Sequence, residues 1–515
     1  MTELPSARAF WRGRESVVFV AGLNVILHLL AINKYGYHRD ELYFLDCARH
    51  LDFGYVDHPP LLDTLLAAAR WLLGDSLVAI RIPAVLASTA VVVLVALMTR
   101  QFGGGRFAQL LAGLAAILAP VYLITSAMIS VEGLNTLMWT VCLYLTLLIS
   151  VAPTQKRWLL LGVAFGAGLL AKYAIVFLGL GLAAGVALTP AAKLLRSKWP
   201  WIAAGLAFLI FLPNLIWQWT HGWPFIEYAR AIHSSMMEWI PLGLYLMSQV
   251  LFLNPVSLPL WFAGLLYLLA GRDMKPFRLF GVAFVTILIL LIVMKSKTYY
   301  PAPAYTILLA AGATGAERLF SRFRLRWLRP ASIAALIIGG LPVLPYALPI
   351  LPVEQFLAYS RIVHIESAFA FETGRRLKLP QYFTDMFGWD NQAEVVARVY
   401  QSLPPQERAK TVIYAENFGE AGAVNLLGRK YGLPPAVSGH FSYYYWGPGP
   451  ADTEVVITLG RMRIEHLKKN FGDVNLAATI THPYAIFYEN NLPVYVCRRP
   501  KAPIHQLWPG TRHFS

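Results

Sequence analysis

The chain has 515 residues, of which 57% are hydrophobic and only 14% are charged, and its formal net charge is +16. A soluble globular protein carries roughly a quarter charged residues, so this composition excludes an ordinary soluble protein and indicates an integral membrane protein. The Lys and Arg residues lie mostly in short loops between apolar runs, and no basic face with interleaved aromatic residues appears elsewhere. That distribution argues against a nucleic-acid-binding protein.

Apolar segments long enough to cross a bilayer core of about 30 Å recur through the first two-thirds of the chain. They predict a polytopic α-helical membrane domain over residues 1–350, with about eleven transmembrane helices. The segments lie near Val17–Ile32, Leu77–Met98, Phe107–Thr125, Leu134–Val151, Trp158–Leu170, Ala174–Leu188, Trp201–Trp217, Leu242–Ala270, Leu279–Val293, Ala302–Ala313 and Ala331–Ile350.

Basic residues cluster in every second loop of this arrangement, and the positive-inside rule assigns those loops to the cytoplasm. We therefore expect a multi-pass protein of the inner (plasma) membrane with a cytoplasmic N terminus, and an extracytoplasmic domain over residues 351–515. The clusters are Arg8, Arg12 and Arg14; Arg100 and Arg106; Lys156 and Arg157; Lys193, Arg196 and Lys198; Arg272, Lys275 and Arg278; and Arg318, Arg322, Arg324, Arg326 and Arg329.

The first outer loop carries two groups of polar residues that could take part in catalysis or in metal binding. Asp40 and Glu41 follow the first helix closely, where adjacent carboxylates either cap a helix or take part in a reaction. Asp57 and His58 precede a Pro-Pro pair that holds the chain in a rigid, extended turn. A carboxylate and an imidazole can bind a divalent metal, the one cofactor the sequence suggests, but two ligands do not define a site.

Later outer loops add an acidic residue and several cations. Glu132 opens the fourth predicted helix, Lys172 lies in the turn after the fifth, and Lys297, Tyr299 and Tyr300 lie in KSKTYYPAP. Helix capping explains Glu132 alone, and snorkelling explains either lysine alone. Neither explains why carboxylates and cations gather at one membrane interface. Cations beside tyrosines at that height suit the phosphate of a membrane lipid.

From about Leu351 apolar runs shorten, charge rises, and strand and helix patterns alternate, which predicts an α/β domain. The polar and aromatic residues between its first strand and the Pro-Gly stretch near residue 450 are either a surface for stacking on sugars or packed loops. They are Glu416, Asn417, Glu420, His440 and Tyr443–Trp446; the predicted strands are Thr411–Ala415, Glu454–Leu459, Ala485–Tyr488 and Val494–Cys497, and the helices Gly419–Tyr431 and Arg461–Asn470.

Over about the first 320 residues, the motifs RDELYF, DHPPL, LLAKY and KTYYPAP, with Glu132 between the second and third, resemble a known family in order and spacing. They are similar to the integral-membrane glycosyltransferases of the GT-C superfamily. Within it, the branch shared by protein O-mannosyltransferases and bacterial lipid A aminoarabinose transferases is the most similar. Two positions depart from the branch: Glu132 stands where Asp is common, and His58 stands where the aminoarabinose transferases have Lys.

The resemblance implies a sugar donor linked to polyprenyl phosphate and transfer with inversion on the outer side of the membrane. It implies that the protein contacts membrane lipids and that the acceptor is a lipid, a polysaccharide or a protein of the cell envelope. Carried over residue by residue, it makes Asp40 the base, Glu41 its neighbour and Glu132 a second acidic group, and it places Lys172, Lys297 and Tyr299 at the donor phosphate, with Tyr300, Asp57 and His58 as further substrate-binding candidates.

The chemistry of such a transfer agrees with these residues. A single carboxylate suffices as base, because the phosphate leaves as an anion that cations stabilise and needs no general acid. The competing class is a transporter or flippase of a lipid-linked sugar. It would share the topology and the phosphate-binding residues, but it would not need a carboxylate base in the first outer loop.

Overall fold

The computed structural model describes residues 14–236, 240–364 and 377–514, so Arg8 and Arg12 of the first basic cluster lie outside it. The chain divides into two compact units. The helical unit comprises Met1–Ile32, Ile80–Trp217 and Met237–Ile350, and the α/β unit comprises Asn33–Ala79, Gln218–Met236 and Leu351–Ser515.

Helices dominate the chain as far as residue 347. They are, in chain order, α1 Arg14–Ala31, α2 Arg39–Cys47, α3 Leu61–Leu73, α4 Leu77–Gln101, α5 Arg106–Ile117, α6 Pro120–Ser126, α7 Val131–Val151, α8 Gln155–Ala171, α9 Ile175–Ala187, α10 Trp199–Thr220, α11 Pro224–Met236, α12 Leu242–Phe252, α13 Leu258–Ala270, α14 Arg278–Val293, α15 Tyr305–Arg322, α16 Leu328–Gly340 and α17 Leu344–Ala347.

Within the described residues, six helical stretches are long and apolar enough to cross a membrane, and three bent pairs of helices bring the number to at most nine. The chain is therefore a multi-pass membrane protein, as predicted. The number eleven stays a prediction, because α8 has only 17 residues and α15 ends in turns that carry Glu317, Arg318 and Arg322. The six stretches are Arg14–Ala31, Leu77–Gln101, Val131–Val151, Trp199–Thr220, Lys275–Val293 and Leu328–Ala347.

The predicted continuous segment Leu242–Ala270 is interrupted, and its two halves meet at an angle of 94°. Asn254 adopts a left-handed φ of 68°, and its side chain accepts a hydrogen bond of 3.1 Å from the amide of Val256. Pro255 follows and has no N–H to continue the helical hydrogen bonds. These two residues turn the chain, a local effect that a pattern of apolar residues does not show.

The α/β unit contains a five-stranded mixed sheet in the order β2-β1-β3-β5-β4. Strand β1 is parallel to β2 and β3, and β5 is antiparallel to β3 and β4. Besides α2, α3 and α11, the elements of the unit are α18 Val353–Ile362, α19 Gln381–Thr384, α20 Trp389–Ser402, α21 Pro405–Ala409, β1 Thr411–Ala415, α22 Phe418–Leu427, β2 Ala436–Val437, α23 Tyr443–Trp446, β3 Val455–Leu459, α24 Ile464–Asn470, β4 Phe471–Ile480, β5 Leu492–Pro500 and α25 Ile504–Leu507.

The sheet confirms the prediction of a C-terminal domain with strands, and β1, β3 and β5 lie where apolar runs predicted them. The predicted strand Ala485–Tyr488 is wrong, since Phe487–Glu489 forms a short 3-10 helix. The strand beside β5 is instead β4, of which only the end residues Phe471 and Ile480 are buried. An edge strand that is buried only at its two ends has no apolar run to reveal it.

Small residues bring α13 and α15 of the helical unit together. A Cβ atom added to Gly264 would lie 2.1 Å from the carbonyl oxygen of Leu308, and one added to Gly312 would lie 2.0 Å from that of Leu260. Both neighbours are backbone atoms, which cannot move aside. The two helices therefore touch along their backbones, as small residues allow in membrane bundles.

We predict that Gly312→Ala destabilises the protein, because the new methyl group meets a backbone carbonyl. Overpacking of this kind costs about 1–3 kcal/mol or more. Gly205→Ala in α10 is the matched control, since a Cβ there meets nothing within 4 Å. Thermal unfolding in detergent should show a lowered midpoint for Gly312→Ala only. Equal midpoints for the two variants would contradict the close contact of the helices.

Candidate functional site

The helical unit brings together three predicted site residues from three separate segments. Ser130 caps α7 by accepting a hydrogen bond of 3.1 Å from the amide of Gly133, which places Glu132 in the first turn. Lys172 ends α8, and its ammonium donates to the Glu132 carboxylate. The same ammonium lies 4.8 Å from the ring centroid of Tyr300. A carboxylate, a cation and a phenol ring thus share one place.

These residues line a cavity together with Tyr299 and Asn135. Asn135 is 4% exposed, and its Oδ1 has no hydrogen-bond partner among the described residues. The sequence analysis missed Asn135, although a polar residue three positions after Glu132 in an apolar helix is a visible signal. Lys297 is not among the lining residues, but its carbonyl accepts the amide of Tyr300 at 3.1 Å and so shapes the turn that carries the tyrosines.

In the α/β unit, Asp40 and Glu41 have different surroundings at the start of α2. His38 is the N-cap: its amide donates to the Glu41 carboxylate at 2.9 Å, and its Nδ1 accepts the amide of Asp40 at 3.1 Å. Glu41 is fully buried by this capping box. The Asp40 side chain is 49% exposed. The capping alternative thus holds for Glu41, and Asp40 carries the exposed carboxylate of the two.

Groups from the C-terminal part of the chain hold the start of α2. The carbonyl of Asp385 accepts the amide of Arg39 at 3.0 Å, and its carboxylate lies 4.0 Å from Nε2 of His38. The Arg39 guanidinium lies 4.3 Å from the ring centroid of Phe418 and donates to the Tyr488 hydroxyl at 3.3 Å. Asp385 is buried, and burial raises its pKa from 3.8 to about 6.

Asp57 and His58 also come together, but in the interior of the α/β unit. The imidazole is 2% exposed, with Nδ1 3.0 Å from Asp57 and Nε2 2.8 Å from Asp63. Burial alone lowers the pKa of His58, yet the two carboxylates outweigh it and raise the pKa to about 10. Tyr43 donates a hydrogen bond of 2.9 Å to Asp57. His58 is therefore a buried imidazole between two carboxyl groups whose negative charge favours its protonated form.

This arrangement fits a metal ion poorly. Potential ligand atoms of Cys47, His58 and Asp63 lie within 4.8 Å of one another, a group that does not include the predicted ligand Asp57. Nε2 of His58 already hydrogen-bonds Asp63, whereas Nδ1 lies 3.0 Å from Asp57 without making a hydrogen bond. Burial raises the pKa of the Cys47 thiol, which disfavours the thiolate that binds metals. We assign no step to a metal.

The aromatic side chains of Tyr443–Trp446 pack against other residues of the α/β unit. The Tyr443 hydroxyl donates to Asp46 at 2.5 Å, and the Trp446 ring stacks on His50 with centroids 4.2 Å apart. Tyr444 stacks on Trp508, and Tyr445 donates to the carbonyl of His221. Glu420 and His440 are buried as well. Of the two interpretations of this stretch, the geometry agrees with packed loops.

Comparisons with known proteins agree with this architecture. Residues 57–217 match the model of the dolichyl-phosphate-mannose-protein mannosyltransferase family. Two crystal structures of ArnT from Cupriavidus metallidurans, one in the apo state and one bound to undecaprenyl phosphate, superpose with a TM-score of 0.61. Each is 13% identical in sequence and covers 93% of this chain and 97% of its own. No curated protein matches the sequence.

The match over residues 57–217 confirms the prediction of a glycosyltransferase, and the likeness to the ArnT structures confirms the predicted GT-C-like fold. The segment that matches the family contains Asp57, His58, Glu132 and Lys172. Asp40 precedes that segment and the KTYYPAP motif follows it. The match assigns no role to single residues, so the roles of all these site residues stay predictions. At 13% identity, the ArnT structures show that this glycosyltransferase shares their fold.

We predict that Asp385→Asn removes a pH dependence from the stability of the glycosyltransferase. Because the folded protein raises the pKa of Asp385 from 3.8 to about 6, the protonated group adds stability that is fully present below about pH 4 and is lost as the pH rises through 6. A shift of this size is worth up to about 3 kcal/mol. The thermal midpoint between pH 4 and 6 should change less in Asp385→Asn than in the unmodified protein.

The exposed Asp452 provides the control for that measurement. Asp452→Asn should keep the pH profile of the unmodified protein. If Asp385→Asn also kept it, burial would not determine the protonation of Asp385.

Proposed function

We propose that this glycosyltransferase transfers a sugar from a polyprenyl-phosphate-linked donor to an envelope acceptor with inversion, and that Asp40 is the base. The observation that carries the proposal is the exposure of the Asp40 carboxylate at a helix start where Glu41 is used for capping and Arg39 is held by aromatic rings. The acceptor is a glycolipid, a polysaccharide or a protein.

A lipid-phosphate donor is supported by the residues of the helical unit. An ammonium group has three N–H donors. Lys172 uses one toward Glu132, so others remain for phosphate oxygens. Tyr299 and Tyr300 line the same cavity, and Lys297 lies on the same turn. The similar fold of ArnT, which has been seen bound to undecaprenyl phosphate, supports a polyprenyl chain as the carrier.

The reaction we propose balances without a cofactor. Asp40 accepts the proton of the acceptor hydroxyl while the oxygen of that hydroxyl forms a bond to the anomeric carbon. The bond from that carbon to the phosphate oxygen breaks on the opposite face, which inverts the configuration. The polyprenyl phosphate leaves with the bonding electron pair, and Lys172 and Lys297 stabilise its negative charge.

We further propose that the protein lies in the inner membrane with a cytoplasmic N terminus and an extracytoplasmic C-terminal domain. The support is the distribution of basic loops, which the positive-inside rule assigns to the cytoplasm. In this orientation the lipid-linked donor, the carboxylate base in an outer loop and the envelope acceptor all lie on the outer side of the membrane.

The orientation predicts which introduced cysteines react with an impermeant thiol reagent in intact cells. The three native cysteines are buried, so the background should be low. A cysteine at Asp452 should react from outside, and one at Arg324 should react only after the membrane is permeabilised. Reaction of the Arg324 variant from outside would overturn the orientation.

Asp40→Asn should separate a transferase from a transporter. The amide keeps the shape of the side chain but cannot accept the proton, and general-base catalysis is worth about 10²–10⁴-fold in rate. Transfer of labelled sugar from purified donor in proteoliposomes should fall by that factor, whereas donor binding should persist.

Asp52→Asn is the matched control, since Asp52 lies exposed in the same loop. It should transfer sugar at the normal rate. Full turnover in Asp40→Asn would show that another group is the base. Movement of the donor across the membrane without transfer, even in the unmodified protein, would favour the transporter.

A further inference from the structure

The α/β unit contains a second cavity, of about 360 Å³, that the proposed chemistry does not use. Its walls are the chain at Gly36 and Tyr37, the turn Met386–Gly388, the start of α20 and His482. Cavities of about 300–1,000 Å³ are the size that small ligands occupy in proteins. This one therefore has room for a sugar ring.

Fixed aromatic rings form one side of this cavity. Phe387 and His482 lie nearly parallel, at 14° with their centroids 6.0 Å apart. Phe387 also packs against Tyr35 at 5.0 Å, and the indole of Trp389 donates a hydrogen bond of 2.9 Å to the carbonyl of Asp385. Rings held in this way offer an apolar surface of defined orientation.

Polar groups on the first turns of α20 form the other side. Asn391 donates to the carbonyl of Thr481 at 2.9 Å, which leaves its Oδ1 as an acceptor. Asp390 has only a contact of 3.5 Å with Lys430, and Glu394 has no hydrogen bond or ion pair among the residues that the structure describes. Like charges four residues apart destabilise a helix by about 0.2–0.5 kcal/mol. No contact with the described residues therefore gives Glu394 a role in stabilising the fold.

The charge of the cavity restricts what it binds. Asp390 and Glu394 are acidic, and neither Lys nor Arg is among the lining residues that the structure describes. Burial lowers the pKa of His482, so the imidazole is neutral at physiological pH. A phosphate or a carboxylate would be repelled here, whereas sugar hydroxyls and ammonium groups can donate hydrogen bonds to the two carboxylates.

The cavity is close to the proposed base within the same unit. The carbonyl of Met386 lies 2.6 Å from the position of a Cβ on Gly36, so these two segments are in direct contact. One residue before Met386, the carbonyl of Asp385 accepts the amide of Arg39, the neighbour of Asp40. A ligand in this cavity is therefore next to the segment that positions the proposed base.

We propose that this cavity binds a saccharide ring of the acceptor that carries no anionic group, with the ring against Phe387 and His482 and its hydroxyl or ammonium groups donating to Asp390 and Glu394. The inference rests on the proposed function and deepens it, because it specifies the acceptor as a neutral or cationic glycan. Such a glycan comes from a polysaccharide or from the headgroup of a glycolipid.

Binding of defined oligosaccharides to the purified full-length protein tests this inference without any turnover. The probes are the chitin tetramer (neutral), the chitosan tetramer (cationic) and the galacturonate tetramer (anionic), measured by saturation-transfer NMR. We expect the first two to bind and the third not to bind. Binding of the galacturonate tetramer with equal affinity would overturn the proposal.

Variants locate the binding. Glu394→Gln and His482→Ala should each weaken binding of the chitosan tetramer at least tenfold, while Glu465→Gln, an exposed glutamate on α24, should leave it unchanged. Thermal midpoints show whether each variant is folded. Normal affinity in both folded cavity variants would place the ligand elsewhere.

Two further measurements distinguish the two sources of the glycan, and they distinguish a failure of the cavity proposal from a failure of the proposed function. Tighter binding to vesicles that carry the chitosan tetramer on a lipid than to the free tetramer identifies a headgroup, and equal binding identifies a polysaccharide; either result supports the cavity. Asp40→Asn should retain binding. Tetramer binding without sugar transfer would contradict only the proposed function, and transfer without tetramer binding would contradict only the cavity.

Discussion

The start of α2 is the constraint on which the α/β unit depends. A helix must satisfy its first N–H groups, and here His38 and Glu41 do so as a reciprocal cap. Arg39 then turns toward Phe418 and Tyr488 from the C-terminal part of the chain. With these neighbours engaged, the Asp40 side chain is left 49% exposed. The same contacts join the loop after α1 to a domain that begins more than 300 residues later, which explains why the two form one compact unit.

A different requirement operates in the helical unit, where charge beside an apolar core must be neutralised. Lys172 and Glu132 satisfy it as a pair. A donor phosphate on Lys172 would add a second negative charge next to Glu132, so a single lysine would not balance the site. In the proposed function, the second lysine, Lys297, and the hydroxyl of Tyr299 provide the further donors that such a phosphate needs. On that proposal, the ion pair is the resting arrangement of a site that accepts an anion.

The sequence could predict those features that depend on local pattern. Strands β1, β3 and β5 are apolar runs, and Glu132 was recognised at the start of an apolar helix. It could not predict features that depend on distant partners or on one backbone angle. The exposed edge strand β4 has no pattern of its own, and the turn at Asn254 depends on a positive φ. Among the candidate site residues, the sequence grouped Asp40 with Glu41, but only the capping geometry distinguishes them.

His58 shows how structure changes the meaning of a departure from a family pattern. The resemblance places Lys at this position in the aminoarabinose transferases, so a histidine suggests a lost charge or a metal ligand. Between Asp57 and Asp63, however, the imidazole stays protonated, because the two carboxylates raise its pKa to about 10. The positive charge is therefore kept by a shorter side chain. That charge balances the half-buried Asp57 before α3 and the buried Asp63 in the first turn of α3.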